Sequence, residues 1–249
     1  EKAVASSVLL KQDINLSDFC VSPADEFPRL LCQLAVDLER CRPRERCRPA
    51  ELESAHRNAV DVTLDPRTAH PSLIVSRNGK QVRHGDIRQD LPDNPERFTS
   101  CVNVLGKDGF TSGRHYWEVK VKNKSAWTLG VVRESIKRKG QITLCPEAGI
   151  WTVWLRGGTY TANSTVPVDL RLAQKPRKVG VYVDYEGGQV SFYNVEEESH
   201  IYTFTCNFRE KIYPFFSPCT NDGGENSSSH SLTGVMKAPL IITPVSPSE

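Results

Sequence analysis

Metal sites and acid–base machinery are built from histidine, cysteine and closely paired acids, and this sequence scatters all three. Its six histidines, His56, His70, His84, His115, His200 and His230, include no pair four residues apart with a glutamate between. That spacing is what sets two ligands and a base on one helical face. The cysteines are Cys20, Cys32, Cys41, Cys47, Cys101, Cys145, Cys206 and Cys219, and none forms a C-x-x-C pair. Their long, irregular gaps read as reduced thiols, half of them in strands, rather than as zinc ligands. No G-x-S-x-G elbow and no G-K-S/T phosphate loop occurs. The acids Glu196–Glu198 fall on a turn and read as solvated. The expectation is a chain with no catalytic set, no metal and no cofactor.

Aromatic and basic residues remain, and these carry binding. In "GIWTVWLRGG" (residues 149–158), strand alternation puts Trp151 and Val153 on one face. Thr152, Trp154 and Arg156 share the other. With the first face in the core, Trp154 points outward beside an arginine. Tryptophan and arginine dominate binding energy at interfaces, so the pair reads as an anchor. The alternative is that another segment covers Trp154 and makes it core. A second basic group, Arg133, Lys137, Arg138 and Lys139, is placed on one rim with Arg156 as a possible anion site, because arginine forks onto phosphate. The competing reading of "IKRKG" is a solvated turn. Nucleic acid is not expected: net charge is only +2 and aromatic interleaving is sparse.

The elements that position these residues are mostly strands. The 249 residues are 38% hydrophobic and 25% charged, ordinary for a globular protein, and no run of about 18 apolar residues appears. The chain opens at Glu1 and reads as a fragment, with residues 1–27 as a linker. From Pro28, Leu30, Leu31, Leu34, Leu38 and Cys41 form one helical stripe, and a second short helix follows Pro49. Residues 28–58 are thus a helical connector. Beyond them, "VDVTL", "SLIVS", "HYWEVKV", "AWTLGVV", "IWTVWL", "KVGVYVDY" and "QVSFYNV" are short β-branched and aromatic runs divided by turn signals such as "RNGK", "RGG" and "EGG". In "HYWEVKV" Trp117 faces the core and Glu118 is expected to be partly exposed. Many short strands with frequent turns mean an antiparallel sandwich or barrel. Residues 237–249, with three prolines, read as a flexible tail.

Three motifs fall in order along these strands: "LDP" at Leu64–Pro66, "WEV" at Trp117–Val119 and "DYE" at Asp184–Glu186. With their flanks, "VDVTLDPRTAHPSLIVS", "FTSGRHYWEVKV" and "VGVYVDYEGGQVSFYN", they closely resemble the PRY-SPRY domain of tripartite-motif ubiquitin ligases and butyrophilins. The resemblance covers roughly residues 58–236. It implies an all-β fold, a bent two-sheet antiparallel sandwich in which PRY packs onto SPRY, over residues 59–236. It implies that the preceding helices end a coiled coil through which the parent dimerises, and that any ligase activity lies in an upstream RING.

The resemblance also implies a function. Loops at one end of such sandwiches bind a partner protein in the cytoplasm, in innate immune or ubiquitin signalling. Here those loops are "RESIKRKGQITLCPEAG", "RGGTYTANSTVP" and "CTNDGGENSSS". They bring Thr220, Asn221 and Asp222, with Thr128 of the strand "WTLG", around Trp154 and Arg156. Thr128, Arg156 and Thr220 stand where antibody-binding members look acidic or aromatic, which implies a different and more acidic partner. The basic group has its counterpart in butyrophilin-type pockets for phosphorylated small molecules.

Overall fold

The structure, a computed structural model, describes residues 49–219 and 238–245. The expected linker (1–27), most of the connector (28–48) and the loop residues Thr220, Asn221 and Asp222 lie outside the described residues. The first described element is the short helix α1 (Pro49–His56), which Pro49 opens as expected.

Thirteen strands follow: β1 (Leu73–Val75), β2 (Gln81–His84), β3 (Val104–Leu105), β4 (Arg114–Lys120), β5 (Trp127–Arg133), β6 (Ile150–Arg156), β7 (Thr159–Ala162), β8 (Val168–Leu170), β9 (Lys178–Asp184), β10 (Gln189–Asn194), β11 (Ser199–Thr205), β12 (Ile212–Ser217) and β13 (Leu240–Thr243). They form two antiparallel sheets. One runs β1-β2-β13-β4-β9-β10-β11, the other β3-β12-β5-β6-β7-β8. This is the expected β-sandwich. The early segment supplies β1 and β2 at one edge of the first sheet and β3 at one edge of the second.

The core lies between the sheets and follows the alternation of the sequence. Trp117 and Val119 of β4, Val179, Val181 and Val183 of β9, and Leu129 and Val131 of β5 all point into it. So do Trp151, Val153 and Leu155 of β6. Strands pack this closely only where the sequence allows. A Cβ on Gly130 in mid-β5 would lie 2.0 Å from the carbonyl oxygen of Trp151 on the paired strand. The β9–β10 hairpin needs glycine too: Gly188 has φ +60°, and a Cβ there would meet the Cys206 carbonyl oxygen at 2.0 Å.

Four expectations are corrected. Residues 240–243 are not part of a flexible tail. They form β13 between β2 and β4, with Leu240 and Ile242 only 1% and 5% exposed. Pro239 and Pro244 flank the strand rather than interrupt its ladder. "VDVTL" (residues 60–64) makes one isolated bridge, from Leu64 to Gly106, instead of a strand, and a second bridge joins Ala59 just before it to Tyr116. Cys101, Cys145, Cys206 and Cys219 are free thiols, but none lies in a strand.

Glu118 is the fourth. It is 3% exposed rather than partly exposed, because it points from β4 to the outer face of its sheet, where α1 packs. Its carboxylate is held by Lys178 Nζ at 2.9 Å and accepts from the Tyr116 hydroxyl at 3.1 Å, with His56 Nε2 lying 3.3 Å away without a hydrogen bond. Burial, reinforced by the adjacent Glu118, pushes the Tyr116 phenol well above its ordinary value.

Candidate functional site

The outer face of the six-stranded sheet divides into two halves. At one end Val132, Ile150 and Phe215 project outward and are roofed by Phe98 and Ile136. Past Gly130 and Thr152 the character becomes polar. Here one cross-strand row spans five strands, its residues directly paired: Ser217 with Thr128, Thr128 with Trp154, Trp154 with Thr161, and Thr161 with Asp169. Directly paired residues share a face, so the indole stands between two short threonines. Ser217, Thr128 and Thr161 are themselves buried, so the row reaches solvent through the half-buried indole and the exposed Asp169.

Trp154 is half-buried, between the anchor and core readings. Its orientation is fixed by hydrogen bonds. The indole Nε1–H donates to Asn163 Oδ1 at 2.9 Å, and Asn163 Nδ2 donates to Thr152 Oγ1 at 2.8 Å. Arg156, also half-buried, folds back rather than outward. Its Nη1 donates to the carbonyl oxygens of Trp127 (2.8 Å) and Leu155 (2.7 Å), and its Nη2 to Thr128 Oγ1 (3.0 Å). This places its guanidinium 5.4 Å from the Trp154 ring centroid, a cation–π contact. Thr161 Oγ1 donates to Asp169 Oδ1 at 3.3 Å, and Asp169 is exposed. Thr128, Thr152, Thr161 and Asn163 are buried and spend their polar atoms on one another and on Trp154, Arg156 and Asp169, so what the face presents outward is one half-buried indole, one half-buried guanidinium and one exposed carboxylate. Such a surface is suited to holding another molecule, with Trp154 pre-set rather than ordered on contact.

Of the sequence-predicted residues, Thr128, Trp154 and Arg156 come together. Thr152, placed on this face by strand alternation, joins them; Asn163, Thr161 and Asp169 complete the face and were missed. For Thr161 and Asp169 the signal was pairing register, which needs the turn lengths. For Asn163 it was an Asn-Ser-Thr triplet that reads as a glycosylation sequon. With its amide committed on both sides and 6% exposure, Asn163 is a structural clamp.

The basic group does not share a rim with Arg156. β5 and β6 are antiparallel with Trp127 opposite Leu155 and Val132 opposite Ile150, which leaves Arg133 and Arg156 at opposite ends, about 20 Å apart along the strands. They also face opposite ways, since Arg133 lies over the core residue Trp151 at 5.3 Å. Arg138 stacks on Phe98 at 5.6 Å and donates to the Glu96 and Glu134 carbonyl oxygens. Lys139 pairs with Asp93 and donates to the Asn94 carbonyl oxygen at 2.7 Å. Lys137 stands exposed. Two of the four are therefore spent bracing the 86–103 loop, and the expected anion pocket is not assembled. The loop 134–149 likewise lies at the far end of β6 from the Gly157–Gly158 hairpin beside Arg156. Among the described residues no group of three or more His, Cys, Asp or Glu is placed to hold a metal ion.

A family model for the SPRY domain matches residues 114–229, and one for the SPRY-associated domain, PRY, matches residues 62–110. The chain belongs to the PRY-SPRY family. It is 55% identical over 166 residues to the rat E3 ubiquitin-protein ligase TRIM69, which covers 66% of this chain and 33% of that protein. It is 41% identical over 243 residues to the mouse erythroid membrane-associated protein, covering 97% of this chain and 41% of that one. It therefore spans well under two thirds of either relative. Among solved structures, the TRIM65 PSpry domain is similar with a TM-score of 0.60 and 26% identity, over 71% of this chain and 93% of that one. The PRY-SPRY assignment accounts for the division of the early strands: the PRY match contains β1, β2 and β3, and the SPRY match begins at β4. No helix among the described residues is long and apolar enough to cross a membrane.

Proposed function

We propose that this chain is the partner-recognition module of a TRIM-like protein, and that it grips a partner protein with the outer face centred on Trp154. The observation that carries the reading is the fixed indole: a half-buried tryptophan held by Asn163 and stacked by Arg156, in a row of short polar side chains. Trp and Arg surrounded by small, hydrogen-bonding residues are the composition of an interface centre. Thr220, Asn221 and Asp222 are taken as further contacts from the loop after β12.

Kinship with a ubiquitin ligase supports a role in ubiquitin or innate immune signalling, with ligase chemistry supplied by a RING outside the PRY-SPRY pair and dimerisation by a coiled coil. The four cysteines among the described residues are free thiols, which supports a cytoplasmic setting. The test is site-directed photo-crosslinking in cytosolic extract. A photoreactive residue at exposed Thr159, paired with Arg156 on this face, is compared with one at exposed Thr205 on β11 of the other sheet. The reading predicts a discrete adduct from position 159 and none from 205. Equal or absent labelling at 159 refutes it.

A further inference from the structure

Net charge is nearly balanced overall, yet one end of the sandwich is not. Two crossovers carry the chain between the sheets at that end, β4 to β5 and β8 to β9. They touch: the Val121 N–H donates to the Arg177 carbonyl oxygen at 2.8 Å. No acid occurs between Glu118 and Glu134, nor between Asp169 and Asp184. The two segments expose Lys120, Lys122, Arg171, Lys175 and Arg177. Among the described residues none of these five forms an ion pair, whereas neighbouring Lys178 is tied to Glu118. The first crossover runs directly into Trp127, whose carbonyl oxygen receives Arg156. The basic end is therefore continuous with the Trp154 face.

We infer that this end is a second contact surface, which takes an acidic segment of the protein bound at the Trp154 face. The inference rests on that reading in taking the occupant to be protein. Unpaired exposed cations are the electrostatic complement of a carboxylate run and raise its rate of encounter. The neighbouring turn argues for a narrow occupant. Glu196, Glu197 and Glu198 are exposed at the same end, beside Lys178, whose backbone N–H donates to Glu196 Oε2 at 3.1 Å. A flat anionic membrane or a duplex laid across this end would press its phosphates on these three acids. A single acidic strand follows the two crossovers and avoids them.

The test uses a fluorescein-labelled decapeptide of alternating Glu and Ser, with a Gln/Ser peptide as control, read by fluorescence anisotropy in 50 and 150 mM NaCl. The expected result is at least tenfold tighter binding of the Glu peptide in 50 mM salt, weakening in 150 mM salt. Lys122→Glu/Lys175→Glu/Arg177→Glu should abolish the preference. The control Arg77→Glu/Lys107→Glu/Arg209→Glu, of equal charge change at exposed positions elsewhere, should keep it. If reversal lowers the melting temperature, the Gln versions of the same three sites replace it. Equal binding of both peptides, equal loss in the two triple variants, or tighter binding of a 20-base-pair duplex or of vesicles with 30% phosphatidylserine overturns the inference. Failure here leaves the photo-crosslinking result at Thr159 untouched, so the two readings fall separately.

Discussion

If Asn163 holds Trp154 in place, removing its amide has a calculable cost. Asn163→Ala deletes two neutral hydrogen bonds, at 2.9 Å to the indole and 2.8 Å to Thr152. Each contributes about 1 kcal/mol net, and the fully buried Thr152 hydroxyl loses a partner it cannot replace with water, so the total is about 2–3 kcal/mol. For a domain of this size, that lowers the melting temperature by about 5–10 °C. Cost alone does not prove the clamp, so the assay is a double-mutant cycle by urea unfolding with Trp154→Phe, which removes the indole N–H and keeps most of the ring. The Trp154→Phe penalty should shrink by about 1 kcal/mol in the Asn163→Ala background. A coupling within about 0.3 kcal/mol of zero would show that the two side chains act independently and that Trp154 is not oriented this way.

Three further outcomes are expected. Glu118→Ala leaves Lys178 and Tyr116 facing a vacated buried site and should destabilise by about 3–5 kcal/mol in the same urea assay, with Glu118→Gln milder. Deleting residues 238–249 removes β13 from between β2 and β4 and should prevent folding, and Ile242→Ala alone should cost about 2–4 kcal/mol, both read by circular dichroism. His70 accepts from the Ser72 N–H at Nδ1 and faces the Thr99 carbonyl oxygen with Nε2, an arrangement that only the neutral ring satisfies. Burial, then Arg88, lowers its pKa below 6.5 in the fold, so its stabilisation is complete above pH 6.5 and is lost as pH falls through the lowered value. Calorimetry across that window should show a fall in melting temperature that His70→Gln lacks.

Six of the seven β runs were legible because each needed only its own alternation, whereas "VDVTL" forms no strand. Trp117 and Trp151 sit in the core as their neighbours dictate, and Thr152, Trp154 and Arg156 share a face as period two requires. What depended on partners was not legible. β13 reads as a proline-flanked tail until β2 and β4 are seen to lie open on either side of it. Glu118 looks half-exposed until α1 covers its face. Arg133 and Arg156 belong to opposite ends because of one antiparallel register, a pairing that no local pattern encodes. The same holds for the candidate site. Its central tryptophan was visible, but the asparagine that fixes it lies nine residues along the chain, beyond a hairpin.

Paired affinity capture from cytosolic extract, read by mass spectrometry, decides whether the Trp154 face binds a partner protein. The baits are the wild-type chain and Trp154→Ala/Arg156→Ala, once both are shown to be folded with similar melting temperatures. The account predicts a protein captured by the wild type and lost from the variant, followed by direct binding of that purified protein to the wild type alone. Identical captures from two folded baits would contradict it.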